Sequence, residues 1–186
     1  MKIKIIILTI LIILSITSCK EKSKAHKYKI GDKGPAGGLI FYDKGKFSED
    51  WRYLEAAPLD EGDFQWGAYG TDVAGTLTGI GTGKANTQVI TAILSQLGET
   101  VMAAQICEDK IYNGFSDWFL PSRDELNEMY NDLQTRELGG FLSSSYYWSS
   151  SQYDNDGTWG QNFTDGDQTY VNFKDLANRV RAIRAF

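Results

Sequence analysis

The stretch at residues 113–130, NGFSDWFLPSRDELNEMY, joins a loop, a short apolar strand and a capped helix, and it decides the fold prediction. Pro121 cannot extend a strand ladder and biases the residue before it toward an extended backbone, so the apolar run 118–120 should end there. Ser122 then stands at an N-cap position with Glu125 three residues later, the spacing of a capping box. Apolar residues follow on one helical face: Leu126, Met129, Tyr130 and Leu133. This stretch predicts structure more clearly than chemistry.

The composition of the chain is that of one globular domain. Its 186 residues are enough for a well-buried core, and 42% of them are hydrophobic. The formal charge is −5, and without Lys2 and Lys4 of the leader described next it is near −7, from 17 basic and 24 acidic residues. Because binding to phosphates needs a basic footprint, nucleic acid is not an expected partner.

The N-terminus resembles the leader of a bacterial lipoprotein. Residues 1–18 read as a signal peptide, with two lysines before an apolar run that is short for a membrane span. Small residues precede Cys19, as in the lipobox, where the cysteine is acylated and becomes the new N-terminus. The alternative is a cleaved signal with an incidental cysteine. We expect a lipid anchor at Cys19, a tether over residues 19–27 and a domain over 28–186, at the outer membrane or cell surface.

The second cysteine and the single histidine limit the possible chemistry. With Cys19 assigned to lipid, Cys107 has no partner for an intrachain disulfide, and a lone cysteine beside Ile106 in a helical segment is usually a small core residue. His26 lies in the tether. Nucleophilic triads and zinc sites therefore lack a histidine within the predicted domain.

The first half of the domain reads as strands followed by helices. Strands are predicted around residues 39–42 and 51–58, with GDKGPAGG before the first of them interpreted as a turn. A long loop over 61–83 leads to a helix that ends at Gly98, and a second helix is predicted over 99–110. The GIGTGK segment in that loop resembles a phosphate-binding loop, but Thr78 and Ala85 stand where that motif needs Gly and Ser or Thr.

The second half returns to strands, which are predicted over residues 146–153, 158–163, 168–173 and 179–186. Clusters of Asp, Asn and Gly between them indicate hairpin turns. Strands, then helices, then strands predict an α+β fold.

Three stretches in order carry a family resemblance: GDKGPAGGLIFYDKG followed by WRYLEAAP, then GFSDWFLPSRDEL, then YWSSS followed by the terminal RVRAIRAF. Together they resemble the C-terminal domain family of the Legionella collagen-like adhesin, across residues 28–186. The resemblance implies a C-type-lectin-like fold, related to the formylglycine-generating-enzyme scaffold. Such a fold has mixed antiparallel sheets, two to three helices and paired N- and C-terminal strands. The member that names the family is described as binding sulfated glycosaminoglycans. The cysteine pair of formylglycine-generating enzymes is missing here, which removes that chemistry.

Binding is expected from aromatic residues that are interleaved with amides and acids in the second half. Flat rings offer faces to sugars, and nearby polar groups orient hydroxyls. The aromatic set is Tyr146, Tyr147, Trp148, Tyr153, Trp159 and Tyr170. The candidate ligand-binding residues are Trp159, Tyr153, Gln161, Asp154 and Asp156. Trp159 lies between two glycines and is the best candidate for exposure, whereas half or more of the set, Trp148 foremost, belongs to the core in the alternative interpretation.

We expect no cofactor, and calcium binding remains an open alternative. The acidic clusters at residues 154–156 and 165–167 supply hard oxygen ligands. Hairpin turns use the same residue types for backbone reasons, and we favour that interpretation, with no metal site predicted.

Three arginines near the C-terminus, Arg179, Arg181 and Arg184, offer guanidinium groups that bind sulfates well. In so acidic a chain we expect them to pair with internal carboxylates instead.

Three function classes remain. The favoured one is a noncatalytic, adhesin-like surface module that binds glycans or protein partners. The second is an enzyme built from carboxylates or calcium, which convergent acids with shifted pKa values in a cleft would support. The third is a structural envelope lipoprotein.

Overall fold

The structure is a computed structural model and describes residues 27–186. The predicted signal peptide and Cys19 lie outside the described residues. The strands are β1 (Leu39–Ser48), β2 (Trp51–Ala56), β3 (Gly62–Gln65), β4 (Tyr146–Gln152), β5 (Gly157–Asn162), β6 (Gln168–Phe173), β7 (Ala177–Val180) and β8 (Ile183–Ala185). The helices are α1 (Gly83–Leu97), α2 (Ala103–Glu108) and α3 (Arg123–Asp132), with a 3₁₀ turn at Gln134–Arg136.

The strands form two sheets, and their arrangement confirms the α+β prediction. Sheet A has the order β1-β2-β8, and sheet B has the order β3-β7-β4-β5-β6. The pairing between β4 and β7 is parallel, and the other pairs are antiparallel. Because β2 lies between β1 and β8, the first and last strands share sheet A, as the family resemblance implied.

The helix predicted after Pro121 is α3, and its capping box is present. The Ser122 N–H donates to Glu125 Oε2 at 2.7 Å, and the Glu125 N–H donates to Ser122 Oγ at 3.3 Å. Its apolar side packs into a core that also contains Phe41, Leu54, Phe119 and Phe163. A second core holds Trp66 and Trp148 under α1 and α2, which confirms Trp148 as a core residue.

The predicted strand over residues 118–120 is wrong in extent, since it is a single bridge. Phe119 and Ile183 exchange two backbone hydrogen bonds, of 2.8 and 2.9 Å. The next N–H, of Leu120, donates to Thr87 Oγ1 on α1 at 3.0 Å instead of to another strand. A side chain of a distant helix thus ends the pairing.

The single terminal strand predicted over 179–186 is also wrong. β7 belongs to sheet B and β8 to sheet A, and the chain crosses between the sheets at Arg181 and Ala182. The Ala182 carbonyl accepts the Ala57 N–H at 2.9 Å, while the Arg181 side chain turns to Asp60.

Three boundaries also differ from the predictions. The loop over 61–83 contains β3, the second helix is only Ala103–Glu108, and β4 ends before Tyr153, where the hairpin turn begins. In that turn the Tyr153 N–H donates to the carbonyl of Gly157.

Candidate functional site

Three aromatic side chains form a surface beside the β4–β5 hairpin, here called the aromatic surface: Tyr153, Trp159 and Tyr170. The rings of Tyr153 and Tyr170 stack with centroids 4.2 Å apart and planes at 23°. Trp159 meets both rings edge-on, at 5.7 and 5.9 Å. The two tyrosines remain 49% and 47% exposed, so the stack presents aromatic area to solvent.

The first residue of α3 supports the aromatic surface from one side. The Arg123 guanidinium lies 4.9 Å from the centre of the Trp159 ring and 2.8 Å from Asp124. Such a cation over an indole face stabilises the ring position. Trp159 is therefore partly exposed and held in place by Tyr153, Tyr170 and Arg123.

The predicted acids Asp154 and Asp156 lie in the exposed hairpin turn. Asp154 Oδ1 accepts the N–H groups of Asp156 and Gly157, at 3.0 and 2.7 Å. This is the bonding of a side-chain-stabilised turn. The backbone role that the sequence favoured is thus present for Asp154, and both acids follow Tyr153 of the aromatic surface in the chain.

Lys174 fixes this hairpin from inside. Its buried ammonium donates to the carbonyls of Thr71 and Asn155, at 2.9 and 2.8 Å, and to Gln152 Oε1 at 2.7 Å. Burial lowers the pKa of Lys174 to about 8, against nearby carboxylates that include Asp154. The Lys174 ammonium therefore satisfies hydrogen-bond acceptors of the hairpin and of the facing loop.

The structure places Gln161 away from the aromatic surface. On β5 it shares a face with Trp159, but α3 covers it: the buried Gln161 amide donates to Asn127 Oδ1 at 2.9 Å and to the carbonyl of Gly166 at 3.0 Å. Arg123, at the start of α3, contacts the Trp159 ring instead. We therefore leave Gln161 out of the aromatic surface.

The three arginines near the C-terminus pair with internal carboxylates, as expected. Arg181 Nε lies 2.6 Å from Asp60, and Arg179 Nε lies 3.2 Å from Asp63. Arg184 binds Asp117 through two bonds of 2.8 Å and also reaches Glu55 at 3.2 Å. These guanidinium groups belong to the framework.

Sequence reasoning missed a concave site, here called the groove, between the β1–β2 hairpin and the start of α1. Its volume is about 690 Å³, within the range of ligand pockets. Trp51, Ile80 and Phe119 give it apolar walls, and Lys44 of β1 and Lys84 of α1 also line it. The residues come from separate segments at 42–54, 80–88 and 119–125 and from Ala185, so no local pattern reveals it.

Glu125 also lines the groove and is the acid with the clearest pKa change there. Burial raises the pKa of Glu125 to about 7, while hydrogen bonds from the backbone N–H groups of Ser122, Gly81 and Gly83 lower it. A catalytic pair would need a second acid beside it. The other acid of the groove, Glu49, has an 84% exposed side chain and pairs with Lys44 at 3.5 Å. This arrangement supports a structural carboxylate.

Other reactive or metal-binding groups are few. Across residues 27–186, no three His, Cys, Asp or Glu side chains are grouped so that they could hold a metal ion. Cys107 is buried and free, and burial raises the pKa of its thiol well above the usual value. Within the same residues, no helix has the length and apolar character needed to cross a membrane.

Comparisons with known proteins agree with this fold. A fimbrial protein from Bacteroides ovatus ATCC 8483 superposes with a TM-score of 0.58 and 14% sequence identity, covering 80% of this chain and 44% of that one. The chain thus spans less than half of that protein, and so low an identity shows similarity of fold alone. No curated protein matches in sequence. The family model for the Lcl C-terminal domain matches residues 62–184, more than half of the chain, so the protein belongs to the Lcl C-terminal domain family, as its three motifs suggested.

Proposed function

We propose that the protein is a lipid-anchored, noncatalytic surface module that binds glycans through the aromatic surface. Family membership and the fimbrial structural neighbour support an adhesin-like role at the cell surface. The observation that carries the glycan proposal is the exposed stack of Tyr153 on Tyr170 beside Trp159. Flat aromatic area suits sugar rings, whose apolar faces stack on it, and the acids that follow Tyr153 in the hairpin turn offer acceptors for sugar hydroxyls.

The lipid anchor at Cys19 is a separate part of the proposal. Replacement Cys19→Ser removes the thiol that would be acylated. We expect the wild-type protein to incorporate labelled palmitate in bacteria and to fractionate with membranes, and the variant to do neither. A palmitate label that persists in Cys19→Ser would contradict the anchor.

Glycan binding is tested by incubating the purified protein with a glycan array. We expect saturable binding that Trp159→Ala weakens about tenfold or more, which corresponds to roughly 1.4 kcal/mol. Phe47→Ala is the matched control, because Phe47 is 68% exposed on β1, outside the aromatic surface. Circular dichroism confirms that both variants are folded.

Two outcomes redirect the proposal. A blank array with folded protein would reject glycans and favour a protein partner at the same surface. Binding that a chelator abolishes would reject the metal-free form that we propose, in which the Lys174 ammonium holds the hairpin oxygens.

A further inference from the structure

The groove has the chemistry of a second binding site, independent of the aromatic surface. Its walls offer three apolar side chains, of Trp51, Ile80 and Phe119. Trp51 and Ile80 are only partly buried by the protein itself. A ligand in the groove would remove their remaining apolar area from water, which is the main source of affinity for small molecules in such pockets.

Two lysines line the groove, and they differ in their contacts. Lys44, on β1, places its ammonium 3.8 Å from the centre of the Trp51 ring and donates to the Ser48 carbonyl at 2.6 Å, so it is engaged within the protein. Lys84 extends from the first turn of α1, is exposed, and makes no hydrogen bond or ion pair with the described residues. The positive charge of Lys84 helps to lower the pKa of Asp117, but Arg184 already binds that carboxylate through two hydrogen bonds. Lys84 is therefore available to a ligand.

The negative groups of the groove are already engaged. Glu49 pairs with Lys44 at 3.5 Å and extends into solvent. Glu125 is buried and directs its oxygens to backbone N–H groups, with the Gly81 N–H at 2.8 Å and the Ser122 N–H at 2.7 Å. Among the charged residues that line the groove, the unpaired one is thus Lys84.

We propose that the groove binds a small amphipathic anion, with an apolar body against Trp51, Ile80 and Phe119 and one anionic head at the ammonium of Lys84. The apolar walls account for the body, and the unpaired ammonium of Lys84 accounts for the charge of the head. A long polyanion does not fit this description, because some of its repeated anionic groups would lie against the apolar walls of the groove.

The test uses three probes of equal chain length: decanoate, decanol and decyltrimethylammonium, each titrated calorimetrically into the full protein below its micelle-forming concentration. We expect decanoate to bind saturably with one site and the cationic probe to bind at least about tenfold more weakly, since each tenfold step is about 1.4 kcal/mol. Lys84→Glu should weaken decanoate while leaving decanol unchanged.

A steric variant identifies the groove as the site. Gln88→Trp places a large ring at an exposed α1 position that lines the groove, and it should abolish decanoate binding. Gln96→Trp, exposed on the same helix and outside the groove, is the matched control. Three outcomes would overturn the proposal. They are saturable decanoate binding that survives Gln88→Trp, no binding of any probe to the wild type, and equal affinity of the wild type for decanoate and the cationic probe. None of these readouts depends on Trp159, so the glycan proposal stands or fails separately.

Discussion

Two buried glutamates, Glu55 and Glu125, occupy comparable sites in different parts of the molecule. Each is fully buried and accepts backbone N–H bonds from a glycine-rich loop. Glu55 receives the N–H of Gly38 at 2.8 Å, from the GDKGPAGG loop. Glu125 receives the N–H of Gly81 at 2.8 Å, from the GIGTGK loop. The GDKGPAGG turn and the GIGTGK loop, which resembles a phosphate-binding loop in sequence, thus both bind an internal carboxylate.

The two sites differ in whether a cationic side chain pairs with the buried carboxylate. Glu55 has Arg184, whose NH1 donates to Oε2 at 3.2 Å. Glu125 has no ion pair with any described residue, and burial raises its pKa to about 7. The comparison teaches that backbone N–H groups alone hold a buried carboxylate in place but leave it close to protonation at neutral pH.

The largest expected effect is at the Glu55 site. Arg184→Met leaves Glu55 buried without its cation, and breaking a buried pair costs about 3–5 kcal/mol. Urea unfolding measures the loss. The double variant Glu55→Gln/Arg184→Met should recover part of it, because no buried charge then remains unpaired. Arg136→Met, which removes an exposed pair with Asp132, is the control, and an equal cost for the two arginines would refute the explanation.

The Glu125 site should instead show a pH dependence. Its folded pKa, about 7, lies above the ordinary value of 4.5, so between these pH values the folded protein binds more protons than the unfolded chain. Stability from this group is therefore full below pH 4.5 and falls by on the order of 3 kcal/mol as the pH rises to 7. In urea unfolding at several pH values, Glu125→Gln should lack this decline. Identical slopes in both proteins would count against a raised pKa.

Both sites should reject a methyl group on the enclosing loop. A Cβ at Gly34 would overlap the Glu55 carboxyl, and one at Gly83 would overlap Glu125 Oε2. We expect Gly34→Ala and Gly83→Ala each to cost about 1–3 kcal/mol in urea unfolding, as overpacking does. Gly79→Ala is the control, since its Cβ would meet no atom within 4 Å. A stabilised Gly83→Ala would mean that helix propensity outweighs the contact.

The smallest effect concerns the capping box. Ser122→Ala removes the acceptor for the Glu125 N–H and the donor to the Gly79 carbonyl. Because Glu125 keeps its other backbone donors, the cost should be about 1 kcal/mol, measured by urea unfolding. A loss as large as that of Arg184→Met would show that the Glu125 site depends on Ser122 more than on the loop.

The predictions that succeeded depend on short sequence separations. The N-cap at Ser122 and its bond to Glu125 lie within one helical turn, and the end of α1 at Gly98 is fixed by a positive φ of 73°. The hairpin at Asp154 likewise holds itself with bonds two and three residues apart. Local chemistry suffices for such elements.

The failures depend on partners far along the chain. The pairing of the arginines with carboxylates was expected, but their partners were not: Arg184 and Glu55 are 129 positions apart, and Arg181 and Asp60 are 121 apart. Neither these partners nor the crossing between sheets is visible locally. At the aromatic surface, Trp159 was the best candidate for exposure and is partly exposed, whereas Tyr153 and Tyr170 are 49% and 47% exposed. The sequence could not place Gln161 under α3, because the cover is supplied by another element.

The two ends of the described chain meet at one place. The ring of Tyr28 lies 5.6 Å from that of Phe186, and both pack on Tyr53, at 5.3 and 5.7 Å. An attachment at either end of the described chain therefore holds the domain at the same place on its surface. A protein immobilised through a C-terminal tag would present its surfaces to a ligand as it would if held by residues that precede Tyr28, so binding assays on beads or sensor chips would keep the orientation of the proposed lipid-anchored form.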